Sequence, residues 1–287
     1  MIRTRLLVGS VLALAAIGVL IGDDYLDWAA FPFPVLFTCL MAMGLLAGRE
    51  LVRLIPASQR PSETLVVTAI LLCLAANWVP PIRVACGSSP GTAWPLIVVA
   101  FSAALLAAFL LEMRRYREPG VALPRIAFTV LAVGYLGVLP AFFAQIRFLP
   151  GDHSAWLLAL TIAIPKCNDV CAFFAGTFLG KHRMTPVLSP KKTWEGFAGG
   201  MLGGTLVAVF VSFTVPVFSG VLEAIGFGLL VGLAGVFGDL AESLIKRDCL
   251  AKDASASIPG FGGLLDVVDS VLFAAPVVYL WFALSRN

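Results

Sequence analysis

The stretch Leu222–Leu240 reads LEAIGFGLLVGLAGVFGDL and is apolar almost throughout. A helix that crosses a membrane needs about 20 mostly apolar residues, because the hydrocarbon core is about 30 Å thick. The stretch therefore predicts a membrane-spanning helix. Eight further apolar runs, bounded by charged residues or by Pro and Gly, lie at Leu6–Gly22, Phe33–Ala47, Leu65–Val79, Trp94–Leu111, Ile126–Ala144, Ala155–Leu179, Phe197–Phe218 and Val267–Leu284.

The composition of the whole chain excludes an ordinary soluble protein. Of its 287 residues, 60% are hydrophobic and only 13% are charged, whereas soluble domains are about 25% charged. The 20 Lys and Arg against 17 Asp and Glu give a net charge of +3, which is too small to indicate nucleic acid as a partner. The predicted fold is all-α, a polytopic integral membrane protein with about nine transmembrane helices.

The distribution of cations predicts the orientation. With the N-terminus in the cytoplasm, most of the Lys and Arg residues fall in the inner segments, as expected for loops that stay in the cytoplasm. Nine crossings then place the C-terminus outside. Nine helices leave room only for connecting loops, so we expect one continuous membrane domain, with helices of unspecific sequence in residues 1–150 and the candidate chemistry in residues 151–287.

The sixth predicted helix contains ionisable residues inside an apolar run. Asn168 and Asp169 follow Lys166, and an ionisable residue within a membrane segment is costly enough to be a functional candidate. Pro165 precedes them, at a point where we expect the helix to bend or break. Two interpretations of Asp169 stay open: a simple ion pair with Lys166, or a carboxylate that lines a polar cavity.

A second polar segment, Ser189–Gly196, reads SPKKTWEG. Ser189 followed by Pro190 predicts the N-cap and first-turn proline of the next helix. Lys191 and Lys192 are either anchors at the membrane interface or ligands for phosphate.

Glycines recur every four residues at the start of the seventh predicted helix, at Gly196, Gly200 and Gly204. Small residues at this spacing let a neighbouring membrane helix approach closely. We therefore interpret these glycines as a packing surface and not as a nucleotide-binding loop.

The end of the eighth predicted helix is polar on one side. If the helix continues beyond Leu240, Asp239, Glu242, Ser243 and Lys246 fall on a single face, at i, i+3, i+4 and i+7. Such a face must point into a cavity of the bundle or into the headgroup layer. Residues of the same kinds follow: Lys252, Asp253, the glycine-rich loop Pro259–Gly263, Asp266 and Asp269.

These residue types suit phosphate chemistry. Carboxylates bind Mg²⁺ and lysines bind phosphate oxygens, and phosphoryl or nucleotidyl transfer depends mainly on such positioning. A glycine-rich loop ahead of a helix exposes backbone N–H groups to a phosphate. The alternative is a surface loop that carries these residues by chance. The pattern favours a metal-dependent transfer between a cytosolic nucleotide and a lipid that stays in the bilayer.

The polar residues resemble the signature of the phosphatidate cytidylyltransferase (CDP-diacylglycerol synthase) family. The signature runs Ser, two residues, Lys-Arg, four residues, Lys-Asp, then Pro-x-His-Gly-Gly, two residues and Asp-Arg-x-Asp. Asn168-Asp169 and Ser189–Gly196 also resemble that family. The matching residues here are Ser243, Lys246-Arg247, Lys252-Asp253, Pro259-Gly260-Phe261-Gly262-Gly263 and Asp266-Val267-Val268-Asp269.

Two positions depart from the signature. Phe261 stands where it usually has His, and Val267 where it usually has Arg. Neither side chain can bind phosphate. Because every carboxylate and lysine of the signature is present, we expect a variant active site that is still active.

The resemblance implies that CTP and phosphatidate react to give CDP-diacylglycerol and pyrophosphate, a step of phospholipid biosynthesis. The implied cofactor is Mg²⁺ in a two-metal centre, with Asp239 and Asp266 as metal ligands. The implied catalytic residues are Asp239, Lys246, Lys252, Asp253, Asp266 and Asp269. The implied substrate-binding residues are Asp169, Ser189, Lys191, Lys192, Ser243, Arg247, Gly262 and Gly263.

The same resemblance implies a place in the cell and a set of partners. We expect the inner membrane of a bacterial cell, with the active site on the cytoplasmic side. The expected partners are CTP, phosphatidate and the surrounding membrane lipid, without nucleic acid, and a homodimer is left open.

Three other functions stay open at this point. A polyprenol or phytol kinase, or a cytidylyltransferase for another lipid phosphate, would share the membrane setting and the nucleotide chemistry. A transporter would instead carry polar or broken segments near the membrane midplane in two related halves. Here the charges cluster at one face and no internal repeat is evident, which favours an enzyme.

Overall fold

The described residues are mostly helical, and most of the helices are membrane-spanning in length and composition. The computed structural model describes residues 18, 22–23, 31–89, 91–151, 153–251, 254–255, 258 and 262–285. Within them, eight helices are long and apolar enough to cross a membrane. The first predicted helix, Leu6–Gly22, lies almost entirely outside the described residues. The all-α membrane fold is confirmed, and eight of the nine predicted helices are found.

The helices and strands are numbered here in chain order. A 3₁₀ turn, Ala76–Trp78, joins α2 to α3, and a π-helical turn, Gly134–Val138, joins α5 to α6, so each pair forms one span. The elements are α1 Pro34–Leu54, α2 Glu63–Ala75, α3 Val79–Ala85, α4 Trp94–Arg115, α5 Ala122–Val133, α6 Leu139–Arg147, α7 Ser154–Phe178, β1 Arg183–Thr185, β2 Ser189–Thr193, α8 Trp194–Thr214, α9 Val221–Asp248 and α10 Leu265–Ser285.

The described residues form two compact units. The first contains those of Met1–Ala144 and Asp253–Leu265, and the second those of Gln145–Lys252 and Asp266–Asn287. The first unit therefore contains α1 to α5 and most of α6, and the second contains the end of α6, α7, the β1–β2 hairpin, α8, α9 and nearly all of α10. The expectation of one continuous membrane domain stays a prediction.

The glycines of α8 pack against α7 in matching steps of four residues. A Cβ added at Gly196 would lie 2.9 Å from the Ala172 carbonyl oxygen, and one at Gly204 would lie 3.1 Å from that of Ile164. Between them, a Cβ at Gly200 would collide with Asn168. The two antiparallel helices thus approach within backbone contact, which confirms the predicted packing surface.

Asn168 fixes α9 to the same pair of helices. Its side chain is 1% exposed and its amide nitrogen donates a hydrogen bond to the Gly232 carbonyl oxygen of α9, at 2.9 Å. A Cβ at Gly235 of α9 would lie 2.9 Å from the Pro165 ring. We expected the helix to bend or break at Pro165; helix α7 continues through Pro165 without a break, and the proline ring contacts α9.

The predicted N-cap at Ser189 is also wrong. Residues Ser189–Thr193 form strand β2, which pairs antiparallel with β1, and the Arg183 side chain donates a hydrogen bond to the Pro190 carbonyl. The helix begins at Trp194, where the Thr193 hydroxyl accepts a hydrogen bond from the Gly196 N–H at 3.1 Å. Strand pairing holds Ser189 extended, so Thr193 is the capping residue.

We predict that Gly200→Ala destabilises the protein by about 1–3 kcal/mol, because the added methyl meets the Asn168 backbone and Ala172 across the α7–α8 contact. The measurement is the thermal unfolding midpoint of the purified protein in detergent. Gly226→Ala is the matched control, since a Cβ there meets only a Trp281 ring atom at 3.6 Å. An equal loss of stability in both variants would contradict the packing account.

Candidate metal and phosphate site

The polar end of α9 faces the start of α10. Glu242 on α9 is 1% exposed and Asp269 on α10 is 6% exposed. Gly238 permits this arrangement, because any side chain there would collide with the backbone of Asp269 and Ser270. Helix α9 extends to Asp248, so the expected continuation beyond Leu240 is confirmed and carries the polar face into the second unit's interior.

Three carboxylates lie close enough to share a cation. Asp239, Glu242 and Asp269, here called the carboxylate trio, each offer an oxygen, and these oxygens lie within 4.8 Å of one another. The Oε1 atom of Glu242 is buried and has no hydrogen-bond partner. A buried carboxylate oxygen without a partner is expensive, and a bound cation would satisfy it. The donor set is all oxygen, which suits a hard divalent ion.

Three lysines surround the trio. Lys192 of β2 lies 2.7 Å from Asp239, and Lys246 of α9 lies 2.5 Å from both Glu242 and Asp266. Lys166 of α7 lies 3.8 Å from Asp269.

Lys166 has two more oxygen neighbours. Its Nζ lies 3.5 Å from Asp169 and donates a hydrogen bond to the Ser270 hydroxyl at 2.9 Å. The ion pair between Lys166 and Asp169 that was left open as an alternative therefore exists, and it forms part of a larger group. That group, here called the polar cluster, consists of Lys166, Asp169, Lys192, Asp239, Glu242, Lys246, Asp266 and Asp269.

The cluster contains most of the predicted charged residues but assigns their partners differently. Asp266, expected to bind metal with Asp239, lies outside the trio and instead accepts a hydrogen bond from Lys246. Glu242 and Asp269 accompany Asp239 in the trio instead, and the resemblance implies Asp269 as a catalytic residue but not as a metal ligand. The roles themselves stay predictions.

Other predicted residues lie around the hairpin and on α9. Arg247 is exposed and its side chain donates hydrogen bonds to the carbonyls of Leu188 and Ala251, at 3.4 and 3.2 Å. Lys191 is exposed on β2, Ser189 is half-buried there, and Ser243 is buried on α9. Arg247 thus ties α9 to the hairpin that carries Lys192.

The glycines of the signature loop belong to the first unit. Gly262 has φ +98° and exchanges two backbone hydrogen bonds with Ile258. The Glu50 carboxylate of α1 accepts hydrogen bonds from the Ser255 hydroxyl at 2.7 Å and from the Leu265 N–H at 3.1 Å. A Cβ at Gly263 would lie 2.6 Å from the same carboxylate.

Glu50 therefore anchors the loop on both sides of these glycines. Val267, the second departure from the signature, lies in the first turn of α10. Lys252, Asp253 and Phe261 lie outside the described residues.

Sequence reasoning did not select two residues of the cluster as site residues, although signals for both were present. Glu242 lay on the predicted polar face, three residues after Asp239, but carried no assigned role. Lys166 was considered only as the partner of Asp169. A lysine inside an apolar helix is itself costly, and that cost was the signal for its wider set of contacts.

A comparison with known families identifies the family of the chain. A family model described as "Cytidylyltransferase family" matches residues 3–285, which is nearly the whole chain. The chain belongs to the cytidylyltransferase family.

Individual relatives of this cytidylyltransferase-family protein are moderately similar. The chain is 31% identical over 210 residues to "Phosphatidate cytidylyltransferase 4, chloroplastic" of Arabidopsis thaliana, covering 66% of this chain and 53% of the relative. It is 35% identical over 170 residues to the "Phosphatidate cytidylyltransferase" of Mycobacterium bovis, with 58% and 53% covered. For the protein of that name from Chlamydia muridarum, the identity is 36% over 137 residues, with 46% and 45% covered. The chain spans about half the length of these relatives.

We predict that Glu242→Gln lowers the affinity of this cytidylyltransferase-family protein for a divalent cation by on the order of 10- to 100-fold. The substitution keeps the shape of the side chain but removes one anionic ligand of the trio. The measurement is Mn²⁺ binding to the purified protein, followed through the free-ion signal in electron paramagnetic resonance.

The matched control is Glu223→Gln at the other end of α9, where the carboxylate accepts hydrogen bonds from the Ser219 hydroxyl and the Trp281 indole N–H. Wild-type affinity in Glu242→Gln would remove Glu242 from the metal site.

Proposed function

We propose that the protein transfers the cytidylyl group of CTP to phosphatidate, giving CDP-diacylglycerol and pyrophosphate in phospholipid biosynthesis. The observation that carries the proposal is the carboxylate trio with its three lysines at the junction of α9 and α10, two helices long and apolar enough to span a membrane. Membership of the cytidylyltransferase family and relatives named phosphatidate cytidylyltransferase support the choice of nucleotide and lipid.

The reaction is an in-line displacement at the α-phosphorus of CTP. A phosphate oxygen of the lipid forms the new P–O bond as the bond to the β-phosphate oxygen breaks and pyrophosphate leaves. A phosphate monoester is mostly a dianion at neutral pH, since its second pKa is about 6, so the attack requires no strong base. The carboxylate trio would hold a divalent ion, which we propose to be Mg²⁺ and which would supply positive charge for the triphosphate and the departing pyrophosphate.

The residues of the chain bind and orient the phosphates. Lys192 and Lys246 flank the trio and hold phosphate oxygens, and Asp266 orients the Lys246 ammonium from α10. Ser189, Lys191 and Arg247 bind nucleotide or lipid phosphate from the hairpin side. Asp169 lines the polar cavity, and Ser243, Lys252, Asp253, Gly262 and Gly263 keep the roles that the family signature implies.

An apolar groove beside the cluster supports a lipid substrate. The groove has a volume of about 480 Å³ and is lined by Leu188 of the hairpin loop and by apolar residues of α9 and α10, among them Leu240, Leu244 and Phe273. Leu240 follows Asp239 directly, so an acyl chain in this groove would keep its headgroup near the carboxylates.

The protein is an integral membrane protein. We propose the inner membrane of a bacterial cell as its location, with the polar cluster on the cytoplasmic side, because most cations fall in the segments predicted to be cytoplasmic. CTP is a cytosolic solute and would reach the cluster from that side. A homodimer stays a prediction.

We predict that the purified protein, given phosphatidate, Mg²⁺ and CTP labelled at the α-phosphate, transfers label to lipid and releases pyrophosphate. The same reaction with CTP labelled at the γ-phosphate should leave the lipid unlabelled. Transfer of the γ-phosphate alone would identify a lipid kinase and contradict the proposal. Solute uptake into vesicles without CTP binding would identify a transporter.

We predict that Asp266→Asn lowers kcat by on the order of 100-fold, because an ammonium released from its partner is misplaced for phosphate binding. The readout is the rate of CDP-diacylglycerol formation, with size-exclusion behaviour in detergent as the check on folding. Asp248→Asn, an exposed carboxylate at the end of the same α9 helix, is the matched control and should keep wild-type turnover. Full activity in Asp266→Asn would exclude Asp266 from the site.

A further inference from the structure

Each member of the carboxylate trio already has one lysine of its own. The pairs are Asp239 Oδ2 with Lys192, Glu242 Oε2 with Lys246, and Asp269 Oδ1 with Lys166, at 2.7, 2.5 and 3.8 Å. Each pair engages one oxygen of its carboxylate, and a carboxylate has a second oxygen with which it can accept a shared ligand. The buried, unpartnered Oε1 of Glu242 is such a second oxygen. The three carboxylates thus lie close enough to share one cation, and each is paired with an ammonium group.

Lys166 differs from the other two lysines in having three oxygen neighbours, two of them carboxylates and one a hydroxyl. An ammonium has three N–H donors, and Lys166 Nζ has three oxygen neighbours: Asp169 Oδ2 at 3.5 Å, Asp269 Oδ1 at 3.8 Å and the Ser270 hydroxyl at 2.9 Å. Two of these oxygens come from α10, about 100 residues away in the chain. Lys166 is thus held between helices by an all-oxygen shell, as a bound cation would be.

The net charge of the polar cluster indicates how many divalent ions it can bind. The cluster contains five carboxylates, Asp169, Asp239, Glu242, Asp266 and Asp269, and three ammonium groups, Lys166, Lys192 and Lys246. With all of these groups ionised, two negative charges remain in excess, which one divalent ion neutralises. A second divalent ion would leave the cluster positive before any substrate arrived.

We propose that the site binds a single divalent cation on Asp239, Glu242 and Asp269, and that the Lys166 ammonium occupies the place of a second ion. In two-metal sites the ions lie about 3.5–4 Å apart, so a second ion next to the trio must share a carboxylate with the first. On the flank of Asp269, the position for that ion is taken by Lys166 Nζ. This inference rests on the proposed metal-dependent transfer, and it opposes the two-metal centre that the family resemblance implies.

The test counts bound ions without using turnover. Tag-free protein in detergent is stripped with a chelator and titrated with Mn²⁺ in the absence of nucleotide, and the free ion is followed by electron paramagnetic resonance. We expect one Mn²⁺ per wild-type chain. Lys166→Ala should bind two, because Asp169, Asp269 and the Ser270 hydroxyl are then open to a second ion, and Lys166→Arg, which keeps the charge, should bind one.

Lys181→Ala is the matched control, since it removes an exposed lysine that follows α7 in the chain, and it should bind one ion. Two ions in the wild type, or a single ion in Lys166→Ala, would overturn the proposal. Should Lys166→Ala fail to fold by size exclusion, Lys166→Gln replaces it, and the wild-type count remains decisive by itself.

The outcomes separate this inference from the proposed function. One bound ion without cytidylyl transfer overturns the function alone, and transfer with two bound ions overturns the inference alone. A wild-type protein that binds no Mn²⁺ overturns both.

Discussion

Neutralisation of buried carboxylates is the constraint on which the rest of the second unit depends. Glu242 and Asp269 are almost fully removed from solvent, and an ionised group in such a place is tolerated only when it is paired or binds a metal. The three lysines that pair with the trio come from three different elements. Lys166 comes from α7, Lys192 from the hairpin and Lys246 from α9 itself. The site therefore exists only when all these elements are packed together.

The packing that meets this requirement comes from small residues. The glycines of α8 bring its backbone against α7, and Asn168 and Gly232 then tie α9 to that pair. Gly238 brings the start of α10 against α9 at the level of the trio. Membrane helices lack a hydrophobic drive toward one another, since lipid is as apolar as the side chains, so close backbone contact is a main source of their association. The residues without side chains thus determine where the charged side chains meet.

The helices and most of the charged residues of the polar cluster could be predicted from the sequence, because both follow from local spacing. Apolar runs predicted eight helices now described, and the three- and four-residue spacing of Asp239, Glu242 and Lys246 predicted their common face. It was harder to predict from the sequence which charged residues contact one another, since this depends on contacts between distant parts of the chain. Asp266 was expected on the metal and is found on Lys246, and Lys166 meets Ser270 across an interval that no local pattern encodes. Strand β2 was missed for the same reason, because pairing with β1 overrides the helix-start pattern of Ser-Pro.

The position of Lys246 between two acids has a consequence for how the site handles charged substrates. Its Nζ contacts Glu242 within its own helix and Asp266 on the next one. Transfer of this ammonium from one acid to an incoming phosphate oxygen would leave its other contact intact. Substrate entry is then a form of ion exchange. Each contact that is lost is replaced by a new one, and no charged group is left without a counter-ion in the poorly solvating interior. Such trading keeps the electrostatic reorganisation small, which is an advantage for an anionic ligand that must arrive and depart in every cycle.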